Sequence, residues 1–425
     1  MSRLNNVPRT YDIVLLGASG YTGVLTAQHI AANLPTNLKW AIASRSATKL
    51  ENLAEKLKRD FPNRTQPVVE VVAVEDHEKL NSIVGEARVC ISTVFFAEAG
   101  EQVVRACVER GTDYVDCAAI PSLLYTWIRK YHKKARENGV ALIHACGALV
   151  APLDLIVWLA VREIDAQWSL KTKDVTLGLD ELDTNLSGGT VRTVLAHKAL
   201  SPETIKQVQS PAALSPIEHP LKPSTFRGVH RNHQLGLLTA TSSTDDQDRA
   251  LIYRTWGLLE GTEQSYGSRF EFNEYEKAPS LLKGIVLILR SYFLAFVMSL
   301  ARIDLIKNLL LSLAPPPGSG PGPELAKSVP VSMEVIAAAD SGGGGAKPTK
   351  FVRVKFLYTE GHYPASAMFI AHASASLLYK RELGGGITGG CLTPAILGSD
   401  FIDRTRSANA KYKIEVIEED KTIRV

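Results

Sequence analysis

An apolar run, Ile13 to Leu16, stops at three glycines spaced by three, Gly17, Gly20 and Gly23, and a helical pattern follows from about Val24 to Ala32. Strand, glycine turn and helix in that order open a dinucleotide-binding βαβ unit. Glycines let the backbone turn tightly and approach a pyrophosphate, and the helix start meets phosphate charge with free N–H groups and its dipole. In Gly17-Ala-Ser19-Gly20-Tyr21-Thr22-Gly23 the residues expected at the pyrophosphate are Gly17, Ser19, Gly20, Tyr21, Thr22 and Gly23. A purely structural strand-to-helix turn uses the same glycines, so the surroundings decide.

A second apolar strand, Lys39 to Ser44, is followed by Arg45, Ser46 and Lys49. An Asp or Glu here would bind the ribose 2′-hydroxyl of NAD. The chain has no acid at this place. A guanidinium and a hydroxyl suit a 2′-phosphate, so Ser44, Arg45, Ser46 and Lys49 point to NADPH. A solvated basic loop is the alternative. Thr93, after the fourth strand, is expected beside the same cofactor.

Alternation continues to about residue 147. Helices are expected over 50–58, 76–84, 98–110 and 121–138, and strands over 68–74, 88–94, 113–117 and 140–145. That pattern predicts an α/β fold with a doubly wound parallel sheet of about six strands, occupying residues 1–150. Beyond it a helix, about 152–163, leads into strand-rich sequence. The runs 331–339 and 350–358 flank a glycine tract and predict an antiparallel hairpin, with a helix over 365–379. At 425 residues, two domains are expected. The net charge of +4 is too small to argue for nucleic acid. The cysteines Cys90, Cys107, Cys117, Cys146 and Cys391 are scattered and read as reduced core thiols, and the polar N-terminus lacks a signal core, so a cytoplasmic protein is expected. No His, Cys or acid spacing suggests a metal.

Residues 280–313 are strongly apolar but interrupted by Arg290 and Arg302. Read as one helix, Lys283, Arg290, Asp304 and Lys307 share about a third of a turn. Such a segment suits docking on the second domain or a second copy, as in a homodimer. As a basic amphipathic helix or a helical hairpin it also suits peripheral contact with a membrane or lipid droplet.

Together these pieces resemble the saccharopine dehydrogenase-like oxidoreductases, within them the branch of trans-acting enoyl reductases. The resemblance rests on Tyr11–Gly23, WAIASRSATKL (40–50), VVRACVERGTDYVDC (103–117), YHKKARENG (131–139), Ser187–Thr190, Pro315–Pro323, Gly361–Pro364 and GGGITGGCLTPAILG (384–398). It implies a Rossmann domain carrying NADPH, an inserted α+β domain over 151–383 and a C-terminal return, 384–425, to the first domain. It would place Thr393 near the nicotinamide. It also implies reduction of a carbon–carbon double bond of a lipophilic polyketide or acyl substrate, in trans to a synthase partner, in secondary metabolism.

Three turns depart from the relatives' pattern. Ser92–Phe96 replaces a Gly-Pro-Tyr or Gly-Pro-Phe turn, Ala118–Ile120 a Thr-Gly-Glu, and Gly147–Val150 a Gly-Phe-Asp-Ser run. All three lie at C-terminal strand ends, where an open α/β sheet builds its crevice, and all leave apolar walls. Either the substrate is more lipophilic, or the chain binds a hydrophobic intermediate without reducing it, as a cyclase, isomerase or lipid-associated binding protein. Tyr114, Asp116 and Thr190 are the candidate catalytic groups, since hydride transfer needs a proton donor or a hydrogen bond to the activating carbonyl. Each has a structural alternative: Tyr114 as packing, Asp116 and Thr190 as helix caps.

Overall fold

The computed structural model describes residues 8–180, 185–198, 202–208, 210–218, 228–240, 245–301, 303–316, 318–342 and 348–419. Most of the glycine tract lies outside them. The first part alternates β1 (Tyr11–Leu16), α1 (Tyr21–Asn33), β2 (Trp40–Ser44), α2 (Ala47–Asp60), β3 (Val68–Val71), α3 (His77–Gly85), β4 (Ala87–Ser92), α4 (Glu101–Arg110), β5 (Asp113–Asp116), α5 (Pro121–Glu137) and β6 (Ala141–Ile143). A π-helical turn, Phe96–Gly100, precedes α4. Then come α6 (Val150–Trp168), β7 (Thr172–Leu179), α7 (Gly188–Lys198), α8 (Pro202–Gln207), β8 (Val229–Asn232), β9 (Gly236–Thr239), α9 (Asp245–Leu259) and β10 (Glu271–Lys277). The chain continues with α10 (Leu281–Leu300), α11 (Asp304–Leu313), α12 (Pro323–Ala326), β11 (Val331–Ala339), β12 (Lys350–Tyr358), α13 (His362–Tyr379), β13 (Gly390–Leu392), α14 (Gly398–Ser407) and β14 (Lys411–Glu418).

The first sheet is parallel and seven-stranded, ordered β13-β6-β5-β4-β1-β2-β3. Successive residues of β1 face opposite layers, as the strand period of two requires. Ile13 and Leu15 join the core that includes α1 and α13, while Val14 and Leu16 join the layer of α3, α4 and α5. Strand order reverses between β1 and β4, and the binding crevice of such a sheet lies at that point.

The second sheet, β14-β12-β11-β7-β10-β9-β8, is antiparallel except for β7 against β10. The expected hairpin forms as β11 and β12, with Val331 opposite Tyr358.

Two elements cross between the layers. Helix α6 leaves the first sheet and packs under β11 and β12, whereas α13, reached from the second sheet, packs on α1, β4 and β5. Arg381, just past α13, clamps it there through Asp113 at 2.7 Å. One apolar core therefore runs from Ile13 and Leu15 through α6 and α13 to Val335 and Val354. The expected C-terminal return is shared between the sheets. Gly390–Leu392 pairs with β6, but Lys411–Glu418 pairs with β12.

The apolar segment is two helices, since α10 ends at Ala301 and α11 is capped at Ile303. The charged face expected from one continuous helix does not carry through that break. Arg302 and the Asp304 side chain lie outside the described positions.

Candidate cofactor and substrate cleft

The turn after β1 is built on close backbone approach. Gly17 has φ +80°, and a Cβ there would sit 2.8 Å from the carbonyl carbon of Thr93. Thr93 closes the turn from the other side, its N–H and its hydroxyl each donating to the Leu16 carbonyl at 3.0 Å. A Cβ on Gly23 would lie 2.2 Å from the Gly17 carbonyl oxygen. Gly20 starts α1 with no side-chain cap, so phosphate oxygens can take the place of one at the helix start. Ser19, Tyr21 and Thr22 are half-buried around it.

At the end of β2, Ser44 is buried and its hydroxyl accepts the Ser46 N–H at 3.3 Å. Arg45 and Lys49 are exposed on the turn into α2. The two cations follow β2, which pairs with β1, and no carboxylate stands between β2 and Lys49. Glycines that no Cβ can replace, an uncapped helix start and a basic rim fit NADP(H).

The substrate end is held from within. Asp116 accepts the N–H groups of Ala118 at 2.9 Å and Ala145 at 3.1 Å on one carboxylate oxygen, and pairs with His144 Nδ1 at 2.8 Å on the other. Burial alone pushes an imidazole pKa down; the Asp116 charge and hydrogen bond, with the Cys391 thiol nearby, outweigh it and carry His144 up to about 10. Asp116 thereby sets the turns after β5 and β6. The second contains Ala145 at φ +62°, a conformation that costs a residue with a side chain. Tyr114 is 0 % exposed in the layer of α4 and α5, and burial, reinforced by Asp116, holds its phenol well above the ordinary range. Neither Tyr114 nor Asp116 opens into the cleft. The turns at these strand ends carry the half-buried Val94, Phe96, Ala119 and Leu149, which pack against the layer of α3, α4 and α5.

The opposite wall comes from α7, the proline-rich loop and the start of α13. The Tyr363 hydroxyl accepts the Ser187 N–H at 2.6 Å and lies 3.1 Å from the Thr190 hydroxyl. Thr190 also shares a 3.0 Å hydrogen bond with Ser187. Tyr363 stacks edge-on against Tyr21, ring centroids 5.0 Å apart, at the first residue of α1. The Tyr21 hydroxyl donates to the Pro321 carbonyl at 2.7 Å, and Gly320 lies so close that a Cβ would be 2.7 Å from the Tyr21 ring. Arg192 donates to the Pro315 carbonyl at 2.9 Å, tying the loop to α7. The loop thus acts as a strap across the cofactor turn.

Sequence reasoning singled out Thr190 but missed Tyr363. Its signal was the Gly361-His-Tyr-Pro run. Gly361 has φ +87°, and a Cβ there would lie 1.8 Å from the Ala326 carbonyl oxygen, so only glycine starts α13 at this angle.

Thr393, expected near the nicotinamide, is instead enclosed. Its hydroxyl is 2.5 Å from that of Thr255, which donates to Asp154 at 2.7 Å. Asp154 also accepts the Ala395 N–H at 2.8 Å, and burial lifts its pKa to about 6 against these bonds. The network pins the C-terminal segment to α6 and α9. Among the described residues no group of three or more His, Cys, Asp or Glu side chains could hold a metal ion.

Residues 13–143 match the model of the saccharopine dehydrogenase NADP binding domain. The first domain is of that type. NADP(H) is accordingly the cofactor of this NADP-binding domain, whose matched residues contain the whole glycine turn, the basic rim and Thr93. Along nearly its full length the chain is similar to proteins named trans-acting enoyl reductase. The one from Mycobacterium tuberculosis is 26 % identical over 411 residues, covering 93 % of this chain and 95 % of the relative. The one from Mycobacterium leprae is 25 % identical over 431 residues, covering 94 % and 96 %. Among solved structures, saccharopine dehydrogenase from Saccharomyces cerevisiae aligns over 96 % of this chain and 100 % of its own, with 12 % identity and a TM-score of 0.48.

Proposed function

We propose that the chain is an NADPH-dependent reductase that saturates an enoyl group of a lipophilic acyl or polyketide intermediate, presented by a separate synthase. One observation carries this reading. A glycine cradle followed by a basic rim lies where the strand order of the parallel sheet reverses, beside turns that carry Val94, Phe96, Ala119 and Leu149, and Tyr363 of the hydroxyl cluster packs on Tyr21 at its edge. The names of the full-length relatives support the same reaction.

Bound NADPH supplies a hydride to the β-carbon of the enoyl group. The chain's own part is orientation and proton supply. The apolar walls exclude water and hold the acyl chain. The Thr190 and Tyr363 hydroxyls, linked to each other and to Ser187, hydrogen-bond the substrate carbonyl oxygen and deliver the proton that the α-carbon needs. Asp116 and His144 act as positioning residues, through the turns they hold. Tyr114 supports that pair from the core.

Arg45→Ala is expected to weaken NADPH about tenfold to a hundredfold, and NADH little, in a titration of nicotinamide fluorescence. Equal losses for both would overturn the 2′-phosphate assignment. No binding at all by the unaltered protein would leave a non-reducing binder of hydrophobic intermediates. Tyr363→Phe is expected to lower kcat at least about tenfold with NADPH affinity retained. An unchanged kcat would remove Tyr363 from the proton path.

A second copy of the chain and a lipid surface are rival partners for the exposed helices α10 and α11.

A further inference from the structure

Helix α10 is 20 residues long and apolar enough to cross a membrane, yet only 11 % of its most apolar stretch is buried. Leu282, Ile285, Leu289, Tyr292, Phe293 and Phe296 are all exposed, Leu282 at 73 % and Phe293 at 65 %. At 100° per residue they fall within about a third of a turn. Leu305, 79 % exposed, and Leu309 extend the surface along α11. So much contiguous apolar surface on a folded chain marks an interaction site.

The back of α10 is fixed to the protein. Gly284 sits against Val229 and Thr239, with no room for a Cβ 2.7 Å from the valine methyl. Arg290 pairs with Glu276 of β10. A helix docked sideways on a sheet of hydrated strands cannot have lipid on all sides, so it cannot span a bilayer without leaving its domain. It can lie in the plane of an interface, apolar side down.

Charge selects the occupant. From Leu281 to Leu313 the sequence has four bases against one acid, Asp304; with Arg290 taken up by Glu276, Lys283, Arg302 and Lys307 supply the excess. A second copy seated on this face would bring that excess against itself. An anionic lipid surface attracts it. Tyr292 is a residue type favoured at headgroup depth, and Phe293 and Phe296 suit the apolar face of an interfacial helix.

We propose that α10 and α11 form an interfacial dock that seats the enzyme on an anionic lipid surface. Both helices touch α7, which begins just after the exposed Leu186 and carries Thr190 in its first turn. The proline strap follows directly from α11. The dock therefore faces the cleft mouth toward the lipid, where a lipophilic acyl chain partitions. This last step rests on the lipophilic-substrate reading; the dock itself does not.

The test is flotation of the full chain with vesicles of phosphatidylcholine alone or with added phosphatidylglycerol, alongside NADPH titration and light scattering. The expected result is recovery with the anionic vesicles, at least about tenfold above the neutral ones. Phe293→Asp combined with Phe296→Asp is expected to lose about tenfold or more of that binding, with NADPH affinity unchanged as proof of folding. Lys283→Glu with Lys307→Glu is expected to erase the anionic preference. Equal recovery with both vesicle types overturns the proposal. So does an absence of flotation with a dimer that the Phe293→Asp, Phe296→Asp chain no longer forms. So does flotation only when a synthase is added. Retained NADPH binding in those cases leaves the reductase reading standing.

Discussion

Gly23→Val is expected to weaken NADPH at least about a hundredfold while the thermal transition of the cofactor-free protein persists. The Cβ would lie 2.2 Å from the Gly17 carbonyl oxygen and 2.8 Å from the Ala18 Cα, both backbone atoms with nowhere to retreat. Gly17 cannot yield, because its own α-carbon is already against Thr93 and its φ is +80°. The helix start must then swing away from the crevice, carrying its N–H groups with it. Gly20→Ala is the internal comparison. Its added Cβ meets the Gly17 carbonyl oxygen at 3.3 Å and its φ of −81° suits alanine, so a loss below about tenfold is expected. Equal affinities for the Gly23→Val and unaltered proteins, by nicotinamide fluorescence, would show that the turn does not carry the phosphates.

The second large effect concerns the buried Asp116–His144 pair. Removing the carboxylate in Asp116→Ala leaves a buried cation and two N–H groups without acceptors, at a cost of about 3–5 kcal/mol in denaturant unfolding. Because the pKa of His144 is raised from 6.5 to about 10, the folded chain holds its proton more tightly than the unfolded chain. The pair's contribution is thus fully present below about pH 6.5 and is lost as pH rises toward 10. Unfolding free energy should fall across that window in the unaltered protein and stay flatter in His144→Gln. Parallel profiles would mean that His144 is not held protonated. The reductase rate should fall in Asp116→Asn as well, through the displaced turns after β5 and β6, while Arg45-dependent NADPH selectivity is kept.

Much of this is legible in the sequence. The glycine spacing, the β2 run and the basic residues after it predicted the first domain because a parallel sheet buried on both faces leaves a local record, strand by strand. The hairpin 331–339 and 350–358 was equally local. Tyr114 and Asp116 were located correctly on β5, yet their sides of the strand and their burial depended on what packs there. Tyr114 turned inward among Cys90, Trp127 and Leu142, and Asp116 was taken up by the turns around it. Thr393 shows the same limit: its neighbours Thr255 and Asp154 are more than a hundred residues away in sequence.

The sequence by itself determined the nucleotide end of the protein, since a glycine that admits no Cβ and a basic residue in place of an acid are properties of single positions. The tertiary structure decided the rest. It joined Tyr21, Thr190, Tyr363 and Pro321, from segments more than 300 residues apart. It sent α13 to the first sheet and β14 to the second. It also left α10 with its apolar side outward, although the same residues would equally suit a buried helix. Amphipathic periodicity says only that one face must be covered; which surface covers it follows from long-range packing alone.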